Sequence, residues 1–391
     1  MKKILFILIP FLLIFGLGVG SYYYINNKIY IPTPQNFFTS EKEKNDAKYD
    51  EEHGIINVLL IGVDSRSKYE DARTDSMILA TLDLNNKKIK LTSFMRDMYV
   101  PIPNHGLNRI NSAFFFGGPE LLIKTINQDF NLNIQYYVSI DFKAFQNVVD
   151  TLGGIDIEIK DYEVEQLNYY IKEANWNNPI YIKGAGYQHL NGQQVLSYCR
   201  IRKVGNGDYE RTERQRKVLS LLAEKAKNMG ILKFPELFSS ILPNIKTNIP
   251  TSKLMSFAYS TLKMGNTSIE SIRIPVDGTF ESMIVNGMDV LVPDLEKNIK
   301  YLDRFIFSIG TADSSNMPVY MINNFHLEDE PVDKRGKNKN IIKIEIPADA
   351  IRNNSENTQE VGNYDQNEED NNQYPNIDEL NENIENAPAT P

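Results

Sequence analysis

The sequence predicts an α/β protein: a three-layer α/β/α sandwich around a central mixed sheet, preceded by one N-terminal transmembrane helix. Two observations carry the prediction. Short apolar runs of strand type alternate with helix-period segments between about residues 50 and 307, with no internal repeat. Ahead of them, Lys2 and Lys3 precede ILFILIPFLLIFGLGVG, which continues into SYYYI. That makes about 20 residues without a charge, the length a helix needs to cross ~30 Å of hydrocarbon.

The elements run in order along the chain. Residues 55 to 63, IINVLLIGV, form a continuous apolar run ending in a polar turn, the pattern of a strand buried on both faces. SMILATLDL (76–84) and KIKLTSFMRD (88–97) are expected as strands joined at Asn85-Asn86. Helical patterns cover residues 107–116 and 118–130, and IQYYVSI (134–140) is a strand. Asp141 is placed to N-cap FKAFQNVVDTL, which stops at Gly153-Gly154. IDIEI (155–159) is a further strand, Asn191 caps GQQVLSYC, and a longer helix runs from about Asp208 to Asn228. SKLMSFAYSTLKM and MDVLVPDLEKNIKYL are expected as helices with the strand SIESIRIP between them.

The chain divides accordingly. Residues 1–25 are a cytoplasmic start and signal anchor, with no small-residue cleavage site, and the lysines ahead of the apolar run place the rest of the chain outside the membrane. Residues 26–54 are a linker, 55–307 the globular domain and 308–350 a C-terminal extension. Residues 351–391 hold ten Asp or Glu against one Arg and are expected to stay disordered. That tail carries a net charge of -9, equal to the formal charge of the whole chain, so the remainder is close to neutral. The single cysteine, Cys199, excludes an intrachain disulfide and a Cys-based metal site, and none of the four histidines has metal-ligand spacing to another.

Against this background the stretch YCRIRKVGNGDYERTERQRK (198–217) stands out, with five of the chain's thirteen arginines in a protein that otherwise prefers lysine. Guanidinium grips phosphate or carboxylate with a planar fork, whereas ammonium is a hydrated point charge. If extended, Arg200 and Arg202 face the same way, and Arg211, Arg214 and Gln215 share a helix face. Arg216 points elsewhere and is expected to be solvated. Two further polar groups lie at strand ends: Asp64, Arg66, Arg73 and Asp75 in GVDSR and ARTDS, and the pair Arg96-Asp97. Taken singly, each has an ordinary structural reading: a solvated helix face, a turn former or an ion pair. Together, arginine forks and carboxylates able to hold Mg²⁺ suit a diphosphate. There is no P-loop and no GxSxG.

The ordered set GVDSR, RTDSMILATLD, TSFMRDMYVPIP, RINSAFFFGG, DTLGGIDIEI and YCRIRKVGNGDYERTERQRKVL resembles the LytR-CpsA-Psr family over roughly residues 55–305. The resemblance implies a membrane-anchored, extracytoplasmic phosphotransferase that depends on Mg²⁺. It would move a glycopolymer such as teichoic acid or capsule, with its phosphate, from a polyprenyl-diphosphate carrier to peptidoglycan. It assigns Asp64 and Asp75 to the metal. It places Arg73, Arg96, Arg200, Arg202, Arg211, Arg214 and Gln215 around the pyrophosphate, with Asp208 between the two arginine groups. Asp75 and Asp97 are the candidates for accepting the incoming hydroxyl's proton. The family's apolar tunnel for the polyprenyl chain points to Phe114–Phe116 and helix 142–152, each with a plain core role as the alternative. Cys199 departs from the small residue usual at its position. The rival functions are a polyprenyl-diphosphate pyrophosphatase, a lipid-glycan carrier, or a transcriptional attenuator. The expected topology opposes the last, since it keeps the domain away from nucleic acid.

Overall fold

The apolar run Ile55–Val63 forms β1, the middle of a six-stranded sheet. The computed structural model describes residues 50–51, 53–63, 74–228, 245–265, 267–307, 344, 346 and 351–352. The expected membrane segment, most of the linker, nearly all of the C-terminal extension and tail, and the site candidates Asp64 and Arg73 lie outside them. Among the described residues no helix is long and apolar enough to cross a membrane.

From β1 the chain turns back as β2 (Thr74–Asp83) and again as β3 (Lys88–Phe94), an antiparallel meander closed by the turn at 84–87. A small hairpin comes next, β4 (Tyr99–Ile102) with β5 (Gly106–Arg109), and then α1 (Ser112–Phe130). β6 (Tyr136–Asp141) lies parallel to β1 and leads into α2 (Phe142–Thr151), where the Asp141 carboxylate accepts the Ala144 N–H at 2.7 Å. β7 (Ile155–Ile159) pairs with β8 (Gly186–Leu190), with α3 (Val164–Ala174) between them. α4 (Gly192–Arg200) starts in a reciprocal cap between Asn191 and Gln194, and α5 (Gly207–Asn228) comes after it. β9 (Ile245–Thr247), α6 (Thr251–Lys263) and β10 (Ser268–Ile274) complete the main sheet. Its order is β10-β3-β2-β1-β6-β9, with β10/β3 and β1/β6 parallel and the other pairs antiparallel. This is a mixed α/β fold on a central mixed sheet. β11 (Phe280–Val285), β12 (Met288–Pro293) and α7 (Leu295–Phe307) close the domain, and β13 (Ile351–Arg352) pairs with β11. β13 is formed by the first two residues of the acidic segment.

Two segments differ from the sequence expectation. Residues 106–109 form β5 rather than a helix, and the helix after it is interrupted at Gly117 and Gly118. Gly118 (φ 64°, ψ -161°) occupies a conformation only glycine takes readily. Residues 288–293 form a strand, not the start of a helix. Asn286 and Gly287 both have positive φ (51° and 81°), the signature of a tight hairpin turn, and they fold the segment back on β11.

The two sheet faces pack differently. On one, Leu59, Ile61, Met77 and Leu79 meet Leu122, Ile126 and Phe130 of α1 and Leu302 and Ile306 of α7. On the other, α2 to α5 with β7 and β8 gather a second core around Val149, Ile157, Leu167, Ile171, Val195 and Val218 that contains no residue of the main sheet. β1 is therefore covered differently on its two faces: on the second, Ile56 and Val58 pack against Leu254 and Phe257 of α6, whereas Leu60 and Gly62 border a cavity. Strand composition alone does not separate packing against a helix from facing an apolar cavity, since both favour Leu and Ile.

One buried ion pair ties distant parts of this frame. The Lys90 ammonium on β3 bonds Asp83 Oδ2 on β2 (3.0 Å) and the Ile306 carbonyl at the end of α7 (2.8 Å), all closed to solvent. Lys90→Met, which strands the carboxylate, should lower the free energy of unfolding by roughly 3–5 kcal/mol, read from the denaturant midpoint. Asp129 on α1 is buried with neither oxygen partnered, and burial pushes its pKa up to about 8. A raised carboxyl pKa contributes stability that is present below the unfolded value and lost as pH rises toward 8, at roughly 1.4 kcal/mol per pH unit. The protein should melt lower at pH 8 than at pH 5, and Asp129→Asn should flatten that slope.

Candidate active site

Between the sheet and the second core lies a cavity of about 420 Å³. Leu60, Ile78 and Ile140 of the sheet form one wall; Phe142, Phe145, Leu196 and Leu219 form the other. The polar side groups sit at the carboxyl ends of the parallel pair β1 and β6, where open α/β sheets place their ligands. They are Asp75, Arg96, Arg200, Arg202, Lys203, Arg211 and Gln215, with the carboxylates Asp141 and Glu173 beside them.

Arg96 comes just after β3 and meets three carboxylates. Its Nη1 lies 3.2 Å from Asp75 Oδ1, and its Nε lies 3.4 Å from Asp97 Oδ2 and 3.5 Å from Asp208 Oδ2. Burial works against the charge, but Asp97, Asp208 and Asp75 together raise its pKa. Asp208, in the first turn of α5, also binds Arg211 Nη1 at 3.1 Å. Burial and the nearby Arg96 lower the Arg211 pKa against the pull of Asp208, and its Nε has no partner. Asp97 is shared with Arg109 Nε at 3.5 Å, and its pKa is raised because burial outweighs Arg96 and Arg109. Gln215 accepts the Ser76 hydroxyl at 3.0 Å, linking α5 to β2.

On the opposite side of the mouth, Arg200 is the last residue of α4, not a strand residue, and Arg202 sits in the loop after it. The Arg200 guanidinium lies 5.0 Å from the ring centres of both Phe142 and Tyr170, and its Nη2 bonds Glu173 at 2.7 Å. Stacking and ion pairing together fix the fork at the cavity edge.

Of the sequence-derived set, the structure brings together Asp75, Arg96, Arg200, Arg202, Arg211 and Gln215 at the cavity, with Asp97 and Asp208 bonded to them. Arg214 stands apart. It is buried, donating from Nε to Glu163 (2.8 Å), from Nη1 to the Ile201 carbonyl (2.9 Å) and from Nη2 to Glu210 (2.5 Å). It braces the loop that carries Arg202 and does not line the cavity. Of the two segments expected to line an apolar tunnel, Phe114–Phe116 do not line the cavity, Phe114 belonging to the core on the far sheet face and Phe115 and Phe116 being exposed, whereas helix 142–152 does, through Phe142 and Phe145. Cys199 borders the cavity, with its thiol pushed up to about 12 by burial. Sequence reasoning missed Glu173, Tyr169, Tyr170 and Lys203. The signal was the helical spacing of Leu167, Tyr170 and Ile171, the buried face of α3.

A family model described as the LytR_cpsA_psr family matches residues 25–304. The chain belongs to the LytR-CpsA-Psr family. It is 32% identical over 285 residues to the polyisoprenyl-teichoic acid–peptidoglycan teichoic acid transferase TagU of Bacillus licheniformis, covering 71% of this chain and 88% of that protein. It is 31% identical over 236 residues to the regulatory protein MsrR of Staphylococcus aureus, covering 60% of this chain and 68% of MsrR. Among solved structures, TagT bound to LI-WTA matches with a TM-score of 0.54 and 27% identity, over 66% of this chain and 93% of the TagT chain. TagT with bound octaprenyl pyrophosphate lipid matches at 0.50 and 25%, over 65% and 91%.

The contrast between the two kinds of arginine is measurable. Arg214→Ala, which leaves buried Glu163 unpaired, should destabilise the fold by roughly 3–5 kcal/mol. Arg202→Ala should stay within about 0.5 kcal/mol of the parent, both read by chemical denaturation.

Proposed function

We propose that this chain transfers a phosphate-linked glycopolymer from a polyprenyl-diphosphate carrier to a peptidoglycan hydroxyl, using Mg²⁺, while anchored in the cell membrane with its domain outside. The observation that carries this reading is a single cavity with apolar walls and a mouth bearing Arg96, Arg200, Arg202 and Arg211. A polyprenyl diphosphate needs those two environments side by side. TagT's binding of octaprenyl pyrophosphate on a similar fold supports the lipid, and the name of TagU supports the acceptor. The uncharged run from Ile4 supplies the anchor.

Phosphoryl transfer asks a protein mainly for positioning and charge neutralisation. Arg96 and Arg211 approach the diphosphate from one wall, Arg200 and Arg202 from the other. The acceptor oxygen forms its bond to the glycan-side phosphorus as the bond to the polyprenyl phosphate breaks, and the hydroxyl proton passes to a carboxylate. Of the three carboxylates that line the cavity, Asp141 caps α2 and Glu173 holds Arg200, and Asp75 lies on the wall of Arg96 and Arg211. Asp97, held between Arg96 and Arg109, orients Arg96.

Asp75 faces the same mouth as the arginines, so a bound diphosphate meets a carboxylate, an encounter that a hard cation relieves. The oxygen-only donors Asp75 and Asp64 suit Mg²⁺, which when bound neutralises diphosphate charge. Arg73, in the same sequence motif but outside the described residues, is carried into the proposed anion-binding set from sequence alone.

Mass spectrometry of lipid co-purifying with the protein should find a polyprenyl phosphate or diphosphate. Arg200→Ala and Asp75→Ala should each lower transfer to peptidoglycan about 100-fold or more with the melting temperature kept. Chelation should abolish transfer, and Mg²⁺ should restore it. Wild-type transfer by Asp75→Ala, or in excess chelator, sinks the metal assignment. Release of free phosphate without product on the acceptor would make the enzyme a pyrophosphatase.

A further inference from the structure

One row of the main sheet runs from Leu60 through Ile78 and Ser93 to Arg273, directly opposed residues on β1, β2, β3 and β10 that share a face. Leu60 and Ile78 line the cavity. Ser93 and Arg273 continue the row to the edge strand, under the other flank of α5, which packs on β3 and β10. There the Arg273 guanidinium sits 4.3 Å from the ring centre of Tyr209, one end of it paired with Asp277. Arg216, one residue past Gln215 and so about 100° further round the helix, falls on the Tyr209 side of α5 and does not line the cavity.

The donors in this nook are under-used. Nε and Nη1 of Arg216, Nε of Arg273 and the Ser93 hydroxyl are all closed to solvent without a hydrogen-bond partner. Native structures rarely leave buried donors unpaired, and a bound ion is one of the standard reasons when they do. The charges point the same way. Burial pushes the Arg216 pKa down to about 10; Glu213 pulls the other way, and the adjacent Arg273 adds a smaller repulsion. Glu213 is exposed and Asp277 is 60% exposed, so solvent weakens both as counter-ions for the buried donors. Two arginine forks and a hydroxyl offer more donors than a carboxylate accepts with ease, whereas a tetrahedral oxyanion accepts from several directions.

We propose that Arg216, Arg273 and Ser93 form a second oxyanion site on the far flank of α5, separate from the cavity mouth, that takes a phosphate or phosphodiester group. Free phosphate and a phosphodiester of the glycopolymer share this chemistry.

The test is equilibrium dialysis of labelled inorganic phosphate against the full-length protein in detergent. Two classes of site are expected. Arg216→Gln and Arg273→Gln should each weaken one class at least tenfold, and Arg96→Ala should remove the other. A single class, abolished by Arg96→Ala and untouched by Arg216→Gln, overturns the proposal. Folding is checked by melting in phosphate-free buffer, where Arg216→Gln, having lost a desolvated cation with two unbonded donors, should melt at or above the parent temperature. A lower melting point would mark Arg216 as a structural brace and also overturn it. Ser93→Ala, which keeps both charges, should cost several-fold in affinity at the same class. The source is then read from KM with two lipid-linked donors, an arm that rests on the transferase reading while the dialysis does not. A several-fold rise in Arg216→Gln confined to a phosphate-bearing polymer assigns the polymer; equal KM for that donor and a phosphate-free glycan assigns free phosphate.

Discussion

The guanidinium of Arg96 joins carboxylates from three separate parts of the chain: Asp75 at the start of β2, Asp97 beside it, and Asp208 at the start of α5. With Arg109 and Arg211 the group holds three cations against three anions and is electrically balanced. That balance lets it sit partly buried, and it pins the first turn of α5 over the end of the sheet. Asp208 and Glu210 in that turn also suit the positive end of the helix. Once the turn is fixed, Arg211 and Gln215 can only face the cavity. A balanced network has little positive charge to spare for a diphosphate. The surplus comes from across the mouth, where Arg202 and Lys203 line the cavity without an ion pair among the described residues.

The cavity itself arises from how the two halves are built. α2 to α5 satisfy their apolar faces among themselves and with β7 and β8, so they are not obliged to close down on β1 and β2. Leu60, Ile78 and Ile140 are left facing Phe145 and Leu219 across a gap. An unfilled apolar gap costs packing energy, and a bound hydrocarbon chain is the kind of molecule that recovers it. The apolar gap and the architecture therefore share one origin.

Much of this frame was legible in the sequence where a local rule decides the outcome. Asp141 and Asn191 cap their helices as capping chemistry requires, Gly153-Gly154 ends α2, and the β1–β3 meander tracks its apolar runs. Misreadings arose where two patterns share one composition. MDVLVP carries apolar residues that serve a strand or a helix equally well, and Asn286-Gly287 was the turn signal that separates them. Most of the candidate site was readable because arginine was concentrated in a lysine-rich chain. Arg214 and Arg216 show the limit: neighbours in one charged run, one neutralised by buried Glu163 and the other left with unpaired donors. Helix spacing gives the face a residue occupies, whereas its partners depend on elements far away in the chain, here the Glu163 turn and β10.

The bond between Ser76 and Gln215 spans 139 residues, and this separation has a temporal side. β1 to β3 can pair as soon as they exist, because each meets its sequence neighbour. The opposite wall arrives only with α5, and β3 waits still longer for its parallel partner β10. Long-range pairing of this kind is slow and leaves an open strand edge meanwhile. The outer edge of β3 carries Lys88 and Lys90 through that interval, a charge pattern that discourages the edge from recruiting another chain. A nascent polypeptide thus holds an incomplete cavity until α5, with Leu219, has been made.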